Sequence, residues 1–285
     1  MSGTIKCHIG SFSSRYLFSA GWKKRDGLFY FMLVPALLIF IFYLPMSLKE
    51  TYFILYPSRI TLYSLFLSNY VHNDLAHFTG NLATYLALCF LIFNLETNKR
   101  NFYVYSGFMF LFLPWVISIV SMSMIGPNTT YQGFSGLISS LFGYLTYIVY
   151  RFLKEYCCKS MDLTFLFLIV IMNLLLVLGN IPSQVFQYIF IITFALVLVY
   201  LQKDVIVEVI KKNFDIRNWL RCFPNFKQLY FLGLLIVTLN YIFILPVLVP
   251  EEIMRNGAIV NSVGHYTGYF FGIFVPLILS AISDN

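Results

Sequence analysis

Apolar residues in this chain collect into long runs, with the polar residues gathered between them. Windows of roughly 20 residues, the length that crosses a bilayer as a helix, fall at about 29–47, 77–95, 102–123, 135–152, 162–179, 183–201, 228–249 and 261–281. They predict eight transmembrane helices. Only Gly179-Asn180-Ile181-Pro182-Ser183 separates the fifth from the sixth. Glycine and proline there predict a tight turn between antiparallel helices, or a re-entrant pair. Residues 203–223, KDVIVEVIKKNFDIRNWLRCF, mix apolar and basic positions at helical spacing. That pattern predicts an amphipathic helix on the membrane surface, with a solvated linker helix as the plainer alternative. No internal repeat is evident, so the usual hint of an inverted-repeat transporter is missing. Residues 1–28 read as a polar, basic N-terminal segment without a cleavable signal, and 29–285 as one transmembrane domain.

Composition agrees with a membrane solvent. The 285 residues are 59% hydrophobic and 11% charged, against about one-quarter charged in an ordinary globular domain. A net charge of +7 would by itself suggest nucleic acid, but the placement of the charges excludes that reading. With the N-terminus inside, 16 of the 19 lysines and arginines lie in inside segments, and only Lys49, Arg59 and Arg255 lie outside. The positive-inside rule therefore accounts for the basic balance and sets the orientation. Both termini are expected to be cytoplasmic, in the cell membrane. Of five cysteines, Cys7, Cys157, Cys158 and Cys222 fall on that inner side and Cys89 in a span; none has zinc-like spacing, and no disulfide is expected.

Polar side chains within spans are costly, so by default they mark function. Three clusters stand out. His72-Asn73-Asp74-Leu75-Ala76-His77-Phe78-Thr79-Gly80-Asn81 opens the second span; His77 and Asn81, four residues apart, share a helix face. Gly133-Phe134-Ser135-Gly136 opens the fourth, within TTYQGFSGLISSLFGY. Gly264-His265-Tyr266-Thr267-Gly268 opens the eighth, with Gly272 a turn further on. All three spans run from outside to inside, so a topology fixed by basic residues alone puts the three clusters in one leaflet.

A serine hydroxyl is a weak nucleophile until a base takes its proton. His265 sits a few residues inside an apolar span. Gly264, Gly268 and Gly272 make a smooth strip beside it, and Gly136 and Gly143 offer a similar surface beside Ser135. Such strips let helices approach closely. Close approach would bring the Ser135 hydroxyl within reach of His265, the geometry that general-base catalysis needs. The Ser135 backbone N–H with the His77 and Asn81 side chains could then donate to a developing oxyanion. Each part alone has a plainer reading: a packing motif for G-x-S-G, interhelical hydrogen bonding for His77 and Asn81, a buried structural histidine for His265. No acidic residue stands at this depth, so the pair would be a dyad. Three histidines without a carboxylate make a poor zinc site, and neither metal nor cofactor is expected.

These motifs, His72-x4-His77-x3-Asn81, Gly133-Phe134-Ser135-Gly136 with Gly143-Tyr144, and Gly264-His265-x2-Gly268-x3-Gly272, resemble the rhomboid family of intramembrane serine proteases in order and in helix placement. They cover about a tenth of the chain. The resemblance implies an all-α polytopic membrane protein with a six-helix core and a water-filled cavity open to the outside, here with two additional transmembrane helices. It implies Ser135 as nucleophile, His265 as base, and His77, Asn81 and the Ser135 N–H as the oxyanion site. His72 would organise a loop. The implied substrates are transmembrane helices, cut near their outer end, where the helix unwinds to expose its peptide bonds.

Three positions depart from the family pattern. The Trp-Arg pair of the first outer loop is absent from residues 48–71. Ser139 stands four after the serine, where an aromatic often stacks on the histidine, so Tyr131, Tyr144 or Tyr266 would have to orient His265. Three spans rather than one separate the serine and histidine helices, and 228–249 is favoured as the mobile gate. Two competing readings are a catalytically inactive rhomboid-like factor that binds or escorts membrane proteins, and a small transporter or channel. The retained serine and histidine argue against the first; the missing repeat and the scarce charges in the spans argue against the second.

Overall fold

The structure is a computed structural model that describes residues 23–96, 99–123, 130–152, 154, 160–178, 185–213, 254–255, 258–259 and 262–283. It is mostly helical. The chain divides into two compact units: Trp22–Leu145 with Glu252–Asn285, and Met1–Gly21 with Thr146–Glu251. The first unit carries every candidate site residue.

In that unit the first helix, α1 (Lys24–Phe42), starts about five residues before the apolar run. The Lys23 backbone N–H donates to the Asp26 carboxylate at 3.1 Å, so the helix is capped within the basic segment rather than at its apolar edge. After a short connecting segment, α2 (Leu62–Leu67) is opened by a Thr61–Ser64 capping box and followed by a tight turn at Ser68–Tyr70. Helix α3 (Leu75–Leu95) is long and apolar enough to cross a membrane, as are α1 and the last helix. Helices α4 (Lys99–Leu111) and α5 (Leu113–Met122) form a pair bent by 41°. The bend has a covalent cause: Pro114, in the first turn of α5, has no N–H to continue the ladder.

Helix α6 (Ser135–Phe152) has the length of a span, yet it is not among the helices apolar enough to be one. Its polar residues explain why. Ser139, Ser140 and Tyr144 are buried, and so is every residue from Gly136 to Leu145. This stretch faces protein rather than lipid, so it can be polar provided its groups are satisfied. Tyr105 Oη donates to the Ser140 carbonyl at 2.7 Å, Ser140 Oγ to the Leu137 carbonyl at 2.7 Å, and Tyr144 Oη to Glu96 Oε2 at 2.7 Å.

The second unit contains α7 (Leu163–Leu178), α8 (Val185–Leu201) and α9 (Lys203–Asn213). Helices α7 and α8 pack on each other. Asp162 accepts from the Phe165 N–H at 3.3 Å and from Gln202 at 3.0 Å, and Ser160 donates to Glu208 at 3.1 Å. The amphipathic segment is therefore helical from Lys203 to Asn213; its remainder lies outside the described residues, as does the favoured gate at 228–249. A two-residue antiparallel pair, β1 (Met254–Arg255) with β2 (Ala258–Ile259), precedes α10 (Ser262–Ser283), which belongs to the first unit. Helix α10 packs against both halves of the bent α4–α5 pair.

Three helices, or four with the bent pair counted as one span, pass the length and apolarity criteria among the described residues. The expected eight spans and the six-helix core are coarser in the structure: a helical protein with several membrane-length helices. Cys89 is a buried free thiol, and the other four cysteines lie outside the described residues.

Candidate active site

The site begins with backbone contact between α6 and α10. A Cβ added to Gly268 would collide with the Gly136 carbonyl oxygen, and one added to Gly272 would collide with that of Ser140. On the facing helix a Cβ at Gly143 would collide with the Tyr269 carbonyl oxygen, and one at Gly136 would lie 3.3 Å from that of Gly264 and 2.7 Å from Ile117 Cδ1. The glycine strips therefore face each other, and Gly143, Gly268 and Gly272 are each required by an opposing main chain. Interdigitated this closely, the helices set Ser135 Oγ 2.7 Å from His265 Nε2. His265 is buried at 8% exposure, while Ser135 is half-buried. Serine and histidine thus meet as the spacing predicts, across 130 residues of sequence.

The loop before the serine is shaped by one glycine. Gly133 has φ of 131°, which residues with a side chain rarely adopt. A Cβ there would stand 3.7 Å from His77 Cε1 and 3.9 Å from Ser135 Oγ. Both groups thus border the small space that Gly133 leaves open, beside the first turn of α6. The Phe134 carbonyl accepts from Leu137 and Ile138 at 3.1 Å each, so Phe134 caps the helix. The Ser135 N–H then lies in the first turn, whose amides lack intrahelical partners.

His77 is held in the first turn of α3 because Asp74 Oδ1 accepts its backbone N–H at 2.7 Å. Asn81, one turn on, has its Nδ2 2.7 Å from His72 Nε2. The same nitrogen of His72 accepts the Phe134 N–H at 3.3 Å. An atom that accepts from a backbone amide must carry its lone pair, which assigns His72 as neutral with the proton on Nδ1. Burial, and then the charges of His77 and Lys49, depress its pKa to about 3, with Asp74 opposing. The His72 and His77 rings meet edge-on at 5.1 Å. His72 therefore joins the start of α3 to the residue before Ser135.

Two further residues shape the site without a signal in the sequence. Lys49 counted only as one of three outer charges. It is buried at 6% exposure, and its Nζ donates to the Phe42 carbonyl at 2.6 Å and the His72 carbonyl at 3.2 Å, 5.0 Å from the Phe42 ring centre. Burial lowers its pKa. Asn69 is fully buried, and its side-chain oxygen accepts from Tyr131 Oη at 2.9 Å. The Tyr131 hydroxyl thus donates to Asn69, and that of Tyr144 to Glu96. Both partners lie far along the chain, which is why spacing did not suggest them. Among the described residues no group of three histidines, cysteines or carboxylates could hold a metal.

No family model matches the chain, and no curated protein or solved structure matches it.

Proposed function

We propose that the chain is an intramembrane serine endopeptidase of the rhomboid type, cutting transmembrane helices of other membrane proteins near their extracytoplasmic ends. The observation that carries this reading is the 2.7 Å contact of His265 Nε2 with Ser135 Oγ, beside a helix start that borders the space next to His77. In the proposed reaction His265 takes the hydroxyl proton as Ser135 attacks the scissile carbonyl. The Ser135 N–H, His77 and the second amide hydrogen of Asn81 receive the oxyanion. His265 then returns the proton to the leaving amine, and water hydrolyses the acyl-enzyme by the same steps.

The topology that goes with this proposal puts both termini in the cytoplasm, the dyad towards the outer leaflet, and two helices beyond a six-helix core. The physical case for a membrane-embedded site is the burial of the polar stretch 136–145 among protein groups. Cleavage of a reporter transmembrane substrate in liposomes, by wild type and by Ser135→Ala, tests the reading. Cleavage by wild type alone is expected. Equal cleavage by both would remove Ser135 as nucleophile, and failure of Ser135 to take a fluorophosphonate probe would leave the binding or escort role.

A further inference from the structure

The loop that delivers Ser135 is clamped by a buried polar cluster that the dyad chemistry does not use. Tyr131 exchanges both backbone hydrogen bonds with Leu55, at 3.0 and 3.1 Å, and the Gly133 N–H donates to the Ser68 carbonyl at 2.8 Å. Between these two anchors the Tyr131 hydroxyl reaches Asn69, the neighbour of Ser68, at 2.9 Å. Asn69 Nδ2 in turn donates to the Pro114 carbonyl and to Ser118 Oγ, each at 3.0 Å, and Ser118 Oγ donates to the Leu65 carbonyl at 2.5 Å. The direction of every bond is fixed, because a carbonyl can only accept. Pro114 and Leu65 therefore set the Asn69 amide nitrogen towards α5 and its oxygen towards Tyr131.

Asn69, Ser68 and Ser118 have no exposed surface, and Tyr131 has 5%. An apolar residue of similar shape would fill the Asn69 site without the desolvation cost of its amide. What the amide supplies is direction. Asn69 ties the loop of the nucleophile to α5, and α5 packs on α10, the helix of His265. The two members of the dyad come from elements that share this one side chain as a reference point. We propose that Asn69, through Tyr131, is a positioning residue that fixes Gly133 and the start of α6 relative to α5 and α10, and so sets the Ser135–His265 alignment. Its catalytic part rests on the protease reading above; its anchoring part does not.

The test compares the full-length wild type with Asn69→Leu, Asn69→Asp and Tyr131→Phe in liposomes, by two readouts. Hydrogen–deuterium exchange of the 130–134 segment reports anchoring without reference to activity. Exchange there is expected to quicken by roughly tenfold in Asn69→Leu and Tyr131→Phe, while 137–145 stays as in wild type. The rate of fluorophosphonate labelling of Ser135 and kcat are expected to fall by roughly tenfold with KM unchanged, the signature of a slightly displaced nucleophile. Asn69→Asp keeps the acceptor for Tyr131 and is expected to fall between. Wild-type exchange and wild-type kcat in Tyr131→Phe, which removes one hydroxyl and keeps the ring, overturn the proposal even if Asn69→Leu fails to fold. Faster loop exchange in the variants of a wild type that takes no probe would support the anchor and sink the protease reading.

Discussion

Gly268 lies so close to Gly136 that one methyl group on the former would occupy the carbonyl oxygen of the latter. Gly136 directly follows the serine, and Gly268 is three residues beyond the histidine. The separation of the two helices, and with it the length of the Ser135–His265 hydrogen bond, is therefore set by main chain against main chain. Gly268→Ala must push α10 away from α6. The expected result is at least a hundredfold loss of turnover together with destabilisation of about 1–3 kcal/mol, typical of overpacking. Gly80→Ala, where nothing lies within 4 Å of the added carbon, is the control, and an equal loss in both variants would reject the argument. Turnover and SDS-induced unfolding measure the two effects.

Asn81 serves two partners in the proposed mechanism. One amide hydrogen points to His72 Nε2 at 2.7 Å, and the other is assigned to the oxyanion. Asn81→Ala is expected to lower kcat by about 10²–10³, the usual loss for one oxyanion donor, without abolishing turnover. The KM should hold, because the missing bond forms only in the transition state. An unchanged kcat would confine Asn81 to holding His72.

His72 gives the molecule an acid limit. Its pKa falls from the ordinary 6.5 to about 3 in the fold, chiefly through burial. Between these values the unfolded chain binds a proton that the folded chain excludes. The stability contributed by neutral His72 is thus whole above about pH 6.5 and is lost as pH falls towards 3. Protonation would also remove the lone pair that holds the Phe134 N–H. Unfolding midpoints between pH 7.5 and 4.5 should fall more steeply for wild type than for His72→Gln, whose side-chain oxygen accepts at any of these pH values. Parallel slopes would assign the acid limit to another group.

Tyr144 and Glu96 form a buried pair nine residues along α6 from Ser135: the Tyr144 hydroxyl donates to the carboxylate at 2.7 Å, and its ring stacks on Tyr105 at 4.2 Å. Tyr144→Phe keeps the stack and removes the donor. A destabilisation of about 1.5–3 kcal/mol is expected, as for a hydrogen bond to a charged group, with probe labelling of Ser135 within twofold of wild type. A loss of labelling larger than the loss of stability would mean that the pair also sets the site.

Much of this site was legible because its chemistry is written at helical spacing. His77 and Asn81 fall four apart, the glycines of α10 repeat at the same interval, and a serine between glycines opens a membrane-length run. Helical periodicity converts such spacing into faces, and small residues convert faces into close contact. The prediction that Ser135 would meet His265 needed nothing more, and the 2.7 Å contact follows it.

What periodicity does not reach is whatever pairs distant loops. Lys49 buried on the His72 carbonyl, Asn69 joined to Tyr131 across 62 residues, and the positive φ of Gly133 belong to irregular backbone, where neighbours are set by packing and not by count. Helix α6 shows the same limit. Its run 135–152 reads as apolar along the sequence, but it falls short of the apolarity of a span, and only the fold shows that its serines and tyrosines are buried against protein. From the sequence alone came a helical chain with membrane-length apolar runs and a serine and a histidine beside glycine strips, because those features repeat along a single helix. Tertiary structure alone decided which polar groups hold the loop, which tautomer His72 adopts and how closely the helices approach. Each of these depends on a partner that no local pattern names.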